Sequence, residues 1–425
     1  METKELPNSW VVKRLGDYVE SEKGKKPKSQ SLVKTDTHIF PYIDIRAFEE
    51  GIFDSWTDGE GCRFCSESDL IMVWDGSRSG LVSKGVNGAL GSTLTRINFP
   101  KILNDYAFYF LQSKYLELNT KAKGSGTPHV NPDLLWNYKF PIPPLNEQHR
   151  IVTKIEELFS KIDKGVESLQ KAKELLVLYR QSVLKRAFEN KNSNKIMKLI
   201  DVCEFITKGT TPSKNELFDR KGDVPFIKIY NLTFDGTLDF SINPTFISFQ
   251  THNEFLKRSK VIHGDVLMNI VGPPLGKVSI VSDTFPEWNI NQAIARFRCK
   301  NTLFNKYLAY FLLSGETIRK YSKQAKATVG QFNLTLEICR NIKIPIPSIQ
   351  EQERIVANIE SRLFAYDKLQ ENIITSSRNA ATLKQSILKK AFSGQLVPQD
   401  PNDEPASVLL ERIKAEKMGS VSFDK

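Results

Sequence analysis

The residues of this chain best suited to chemistry are basic, polar and punctuated by glycine. Trp74-Asp75-Gly76-Ser77-Arg78-Ser79-Gly80 combines glycines, which let a backbone approach a ligand closely, with an arginine whose flat guanidinium can hold a guanine edge through two hydrogen bonds. Ser77 and Arg78 are the candidates there; the competing reading is a tight hairpin with Arg78 in a salt bridge. Upstream, Lys25, Lys26 and Lys28 can grip phosphate, with Lys84 a further candidate. Lys121, Lys123 and Thr127 sit in a polar loop able to follow a groove. The second half of the chain offers Lys208, Thr210, Thr211 and Lys214, then Asn269 and Lys277, Asn291 and Gln292, and Lys326 and Gln331. Amide side chains pair with adenine edges, threonine meets thymine methyls, and lysine neutralises phosphate. For each loop the plain alternative is a solvated turn or connector.

Bond-making chemistry finds less support. A phosphate-binding loop needs Gly-x4-Gly-Lys-Ser/Thr, whereas Gly272-Pro273-Pro274-Leu275-Gly276-Lys277-Val278 is one residue short, ends in valine and loses two amide donors to proline. The amino-methyltransferase signature, Asn or Asp before Pro-Pro and an aromatic, is absent: Pro143-Pro144 lies between Ile142 and Leu145, Pro273-Pro274 between Gly272 and Leu275. Cys62 and Cys65 have the spacing of half a zinc site, but no second Cys or His pair completes a tetrahedron. The odd total of five cysteines argues against a disulfide framework. No catalytic residue, metal or cofactor is expected. The rivals from other classes are a DNA-modifying enzyme such as a methyltransferase and a structural coiled-coil DNA-binding scaffold; methyl transfer by the purified chain tests the first, footprinting the second.

A net charge of +11 favours a polyanionic partner, double-stranded DNA above all. With 40% hydrophobic residues among 425, the chain is long enough for several globular domains. No apolar run approaches the length of a membrane span, and the polar, acidic Met1-Glu2-Thr3-Lys4-Glu5 is unlike a secretory signal, so no membrane partner and a cytoplasmic location are expected.

These loops must be held by elements that are written twice. Pro141-Ile142-Pro143-Pro144-Leu145-Asn146-Glu147-Gln148-His149-Arg150-Ile151-Val152 returns as Pro345-Ile346-Pro347-Ser348-Ile349-Gln350-Glu351-Gln352-Glu353-Arg354-Ile355-Val356, an offset of 204 residues. Gln181-Ser182-Val183-Leu184-Lys185-Arg186-Ala187-Phe188 returns at Gln385 to Phe392 with the same 204-residue offset. Between these anchors Ile151, Ile155, Leu158, Ile162, Gly165, Leu169, Ala172, Leu176, Tyr179 and Val183 alternate at spacings of four and three, the seam of a coiled coil. Ile355, Ile359, Tyr366, Leu369, Ile373, Leu383 and Ile387 follow in the second copy, with a break at Arg362. Each copy predicts one long helix, begun after the prolines and ended near Asn190 to Asn194 or at Ser393-Gly394.

Ahead of each helix the likeness is looser. Pro41 to Ile45 resembles Pro225 to Ile229, Asp69 to Met72 resembles Asp265 to Met268, and Tyr106, Tyr109, Phe110 and Ser113 correspond to Tyr307, Tyr310, Phe311 and Ser314. Short β-branched and aromatic runs predict strands, and the tyrosine segments one short helix per copy. The expected fold is mixed, α+β: two globules separated by a pair of long antiparallel helices, with an internal pseudo-twofold repeat. A helix of about 45 residues at about 1.5 Å each would hold the globules roughly 65 Å apart, the geometry of a reader of two half-sites. The expected divisions are residues 1–143 and 192–347 for the globules, 144–191 and 348–394 for the helices, and 395–425 for a tail with a short helix after Pro405.

Taken together, Leu6-Pro7-Asn8-Ser9-Trp10 with Leu15-Gly16-Asp17, the two Pro-Ile-Pro and Glu-Gln-x-Arg-Ile-Val segments, and Gln385 to Leu396 resemble the specificity subunits of type I restriction-modification enzymes over essentially the whole chain. The resemblance implies a non-catalytic DNA reader. Each globule would be a target-recognition domain for half of a bipartite site, the helices would set the spacing and dock two modification (methyltransferase) subunits, and restriction/translocase subunits would join the full complex. It carries over no base sequence.

Overall fold

The computed structural model describes residues 6–100, 102–124, 126–189, 195–315, 326–328 and 331–421, with side chains omitted at 326–328, 331–332 and 414–421. The chain forms two compact units, one from residues 1–168 with 376–425 and one from residues 169–375. The units divide each long helix near its middle, so each globule is packed by the first half of its own helix and the last half of the other.

In the first unit, strands Glu20–Lys23, Leu94–Asn98, Leu70–Val73 and Val82–Lys84 form an antiparallel sheet in that order. Leu70–Val73 is buried at every position, as expected of a strand covered on both faces. A second sheet orders Trp56–Thr57, Phe40–Ile43, Gly88–Leu90 and Phe64–Cys65, its central pair parallel. Val11–Arg14 pairs with Lys139–Ile142, the strand written by the Pro-Ile-Pro motif. The second unit repeats this plan with Cys203–Lys208, Ile294–Cys299, Val266–Asn269 and Val278–Ile280, a second sheet with Val224–Ile227 parallel to Trp288–Ile290, and the ribbon Ile196–Lys198 with Lys343–Pro345. It adds a small sheet of Val271–Gly272, Gln331–Asn333 and Lys326–Thr328.

The expected tyrosine helices are Asn104–Thr120 and Asn305–Leu313. Tyr106 donates to the Pro141 carbonyl at 2.9 Å and Tyr307 to that of Pro345 at 3.0 Å, so each helix is tied to its Pro-Ile-Pro strand. The long helices are Leu145–Phe188 and Ile349–Ala391. Gln148 explains half of the repeated motif: its amide accepts from Leu103 N and donates to Pro143 O, both at 3.0 Å. Gln352 accepts from Phe304 N at 2.8 Å and donates to Pro347 O and Thr302 O at 3.0 Å. Both glutamines are fully buried, so each bond replaces one that water would otherwise make.

Of the anticipated seam, Ile151, Ile155 and Ile387 are buried in the first unit, with Leu158 and Ile162 packed against the same core. Here the two helices run in opposite directions, and Lys384 pairs with Asp163 at 2.6 Å. In the second unit Val183 and Ile359 are buried, while Ile355, Leu169, Leu176, Tyr366 and Ile373 are half-buried. Leu369 and Leu383 do not belong to the buried line, being 50% and 51% exposed. A straight helix of 3.6 residues per turn drifts about 20° per heptad from a 3.5-residue repeat, which turns such positions outward.

The tail is part of the first core. Helix Ala406–Val421 buries Ala406, Leu410 and Ile413, and Arg150 grips Asp403 with its closest N···O contact at 2.5 Å. No helix among the described residues is long and apolar enough to cross a membrane.

Candidate nucleic-acid interface

The basic turn after the first sheet strand is shaped by a glycine that nothing else can replace. A Cβ on Gly24 would lie 2.2 Å from the Gly91 carbonyl oxygen; the close approach lets Gly24 N donate to Leu94 O at 2.9 Å and Lys25 N to Leu90 O at 3.2 Å. Lys25 and Lys26 then project into solvent with no ion pair among the described residues. Lys28, also exposed, is held by Glu60 at 2.6 Å.

The glycine-rich segment 74–80 lies beside this turn, tied by Lys23 to Asp75 at 2.7 Å. Gly76 and Gly80 adopt positive φ of 115° and 91°, which L-residues rarely do. Asn119 donates to the carbonyls of Ser77 and Ser79 at 2.9 and 3.1 Å. Backbone bonds join the loop to the 121–130 segment: Gly76 N to Pro128 O at 2.7 Å and Val130 N to Trp74 O at 2.9 Å. Ser77, Arg78 and Thr127 are thus exposed on adjoining loops. Arg78 is ion-paired with Glu49, so it must exchange that carboxylate for any base it reads. Lys121 and Lys123 are likewise paired, with Glu117 and Asp133, each at 2.8 Å. Lys84 lies elsewhere, against Asp105 at 2.8 Å and Glu156 at 3.7 Å.

The second unit rebuilds the arrangement with different side chains. A Cβ on Gly209 would lie 2.0 Å from Ile290 O, and Gly209 N donates to Ile294 O at 3.1 Å. Lys208, Thr210 and Lys214 are exposed around this turn, and Gln292 N donates to the Thr211 hydroxyl at 3.4 Å. Ile270 N to Ala293 O and Leu334 N to Ile270 O, at 2.9 and 2.8 Å, repeat the pattern of Trp74 N to Thr93 O and Val130 N to Trp74 O in the first unit. Lys326 and Gln331 lie on the paired strands of the small sheet; their side chains fall outside the described residues.

Two expected contacts change role. Asn269 is fully buried: its amide donates to Val271 O and Pro274 O at 3.2 and 2.8 Å and accepts from Gly276 N and Lys277 N, both at 2.9 Å. With its hydrogen-bonding capacity used in shaping the 269–277 loop, it has none left for adenine. Asn291 is half-buried and caps its own turn by accepting from Ala293 N at 3.2 Å. Lys277 is half-buried, its ammonium 5.9 Å from the Phe234 ring centroid, whereas Gln292 is exposed.

Among the described residues no group of His, Cys, Asp and Glu is arranged to hold a metal. Cys65 donates to the Val86 carbonyl at 2.9 Å, and burial pushes its thiol up to about 11. Large apolar side chains are also exposed on the two units: Leu32 and Val33, 84% and 66% exposed, and Phe249 and Phe255, 59% and 61%.

Residues 7–173 and 191–381 match the family described as type I restriction modification DNA specificity domain. The chain is 28% identical to the type I restriction enzyme MjaVIII specificity subunit of Methanocaldococcus jannaschii, covering 92% of this chain and 94% of that one. It is also 28% identical to the EcoBI specificity subunit of Escherichia coli, covering 89% and 86%. Its fold is similar to a chain from a type I restriction-modification system solved for its assembly and conformational transition, with TM-score 0.72, 20% identity and 92% and 99% coverage. The HsdS subunit of Thermoanaerobacter tengcongensis is also similar, with TM-score 0.58, 21% identity and 92% and 98% coverage.

Proposed function

Because the chain belongs to the type I restriction-modification DNA specificity family, we propose that each of its two units reads one half of a bipartite double-stranded DNA site. Its role in such a system is DNA sequence specificity, and it is a non-catalytic subunit. The observation that carries the two-half reading is the repeated loop assembly. In each unit a glycine-pinned basic turn stands beside a second loop fastened to a third by the same backbone bonds, while the exposed side chains differ: Lys25, Lys26, Ser77, Arg78 and Thr127 in one, Lys208, Thr210, Lys214 and Gln292, beside half-buried Thr211, in the other. A common scaffold with different side chains suits two readers of different base sequences.

Residues 1–143 and 192–347 act as the target-recognition domains, and residues 144–191 and 348–394 as spacers that also dock two modification subunits, with restriction subunits completing the cytoplasmic complex. Exposed Leu175, Val177, Leu178, Phe364, Leu369 and Ile374 support docking on the long helices, because apolar side chains crowded on a solvent-facing helix are characteristic of interfaces.

The test is to replace residues 1–143 by the corresponding domain of another family member, assemble the chimera with its modification subunits and map methylated adenines. One half of the site should change while the other stays. Changes in both halves, from a folded and assembled chimera, overturn the assignment. A four-residue insertion after Glu189 tests the spacers: both half-sites should persist with a gap altered by about one to two base pairs, since four helical residues add about 6 Å.

A further inference from the structure

Cys203 and Cys299 are far apart in sequence but directly opposed on neighbouring antiparallel strands of the second unit. The surrounding bonds fix which kind of opposition this is. Lys300 N donates to Val202 O at 3.0 Å, marking residues 202 and 300 as a hydrogen-bonded pair. The next pair along, Cys203 with Cys299, is therefore a non-hydrogen-bonded one, and Cys203 N donates instead to Leu199 O. Such pairs bring opposite Cα atoms to about 4.5 Å, within the range of about 4.4 to 6.8 Å that a disulfide spans. Both cysteines are free, and the two thiols are close enough to influence each other. Cys203 is buried, whereas Cys299 is partly exposed and lines an open groove with Glu204, His263, Lys300 and Asn305.

We infer that Cys203 and Cys299 form a reversible cross-strand disulfide when the protein meets a peroxide. The accessible Cys299 thiolate attacks one peroxide oxygen: an S–O bond forms, the O–O bond breaks, and the departing hydroxide takes up a proton to leave as water. The Cys203 sulfur then attacks the Cys299 sulfenic acid. An S–S bond forms, the S–O bond breaks, and hydroxide leaves as a second water with the Cys203 proton. Two thiols lose two electrons, and one peroxide becomes two waters. A thiol reductant reverses the change by exchange. The neighbouring Cys203 thiol, and then burial, push the Cys299 thiol well up, so Cys299 rests protonated at neutral pH and reacts faster as pH rises. The bond would fasten the start of strand Cys203–Lys208, which leads into Gly209 and Thr210, to the central strand Ile294–Cys299.

The experiment treats the full chain with hydrogen peroxide, alkylates the remaining thiols and maps peptides by mass. The expected product links the peptides of Cys203 and Cys299, has lost the mass of two hydrogen atoms, and disappears with dithiothreitol. Cys203→Ser removes the resolving thiol, so a sulfenic acid should persist at Cys299 and be captured by dimedone. Retention of both as alkylatable thiols while Cys62 oxidises, or linkage of either to another cysteine, overturns the inference without reliance on any variant. Absence of dimedone capture in folded Cys203→Ser overturns the order of attack.

Discussion

Trp10 donates its indole N–H to the Glu147 carboxylate at 3.0 Å, and Gln399 donates to the other oxygen at 2.6 Å. One buried side chain of the first long helix thus joins the beginning of the folded chain to its tail. The repeat counterpart, Glu351, instead makes a local pair with Arg354 at 2.6 Å. Burial raises the pKa of Glu147 and outweighs the two donors, whereas the hydrogen bond from Arg150 lowers that of Asp403. The signs are opposite. Stability from Glu147 is fully present below its unfolded value and is lost as pH rises through the raised folded one; stability from Asp403 is present above its unfolded value and is lost as pH falls through the depressed one. Thermal melts across the acid range should show Glu147→Gln gaining on the native chain as pH rises from about 4.5. Asp403→Asn should cost most near neutrality and least in strong acid. Parallel pH profiles for both variants would contradict this assignment.

The buried glutamines make a second prediction. Gln148→Leu leaves Leu103 N and Pro143 O unpaired, and Gln352→Leu leaves Phe304 N, Thr302 O and Pro347 O so. A buried group without its partner costs about 1–3 kcal/mol. Calorimetry should show each variant lowering the transition of its own unit, and an unchanged melt would show that water takes over the bonds.

Aromatic packing predicts a further pairing. Phe392 meets Tyr106 and Phe110 edge-on, each at 5.3 Å between centroids, and Phe188 meets Tyr307 and Phe311 at 5.2 and 5.3 Å. Phe188→Ala should destabilise the second unit, and Phe392→Ala the first, by about 2 kcal/mol, less than full core truncation because both rings are half-buried. Denaturant titration followed by unit-specific proteolysis reads the outcome.

DNA binding should separate unpaired lysines from paired ones. Replacing Lys25 and Lys26 together, or Lys208, by alanine should weaken binding and reduce the slope of log affinity against log salt by about one for each phosphate no longer neutralised. Lys84→Ala should leave the slope unchanged, since Asp105 and Glu156 already hold that ammonium. Equal slopes for all these variants would remove the basic turns from the interface.

The sequence by itself determined the duplicated plan, because its markers are local. Prolines end the strands at Ile142 and Pro345, apolar residues at helical spacing write the long helices, and the motif glutamines recur at one offset. Tertiary structure decided which side chains remain available. Asn269 and Gln292 are both amides close to a strand end, yet one is spent on Val271, Pro274, Gly276 and Lys277 while the other faces solvent. Arg78 depends on Glu49, Lys28 on Glu60, and Leu383 on the drift of a straight helix. The opposition of Cys203 and Cys299 is the extreme case: sheet register alone places them together. Residue type and spacing specify an element through short-range sterics and hydrogen bonds, but a side chain's freedom to bind is set by partners that only folding brings within reach.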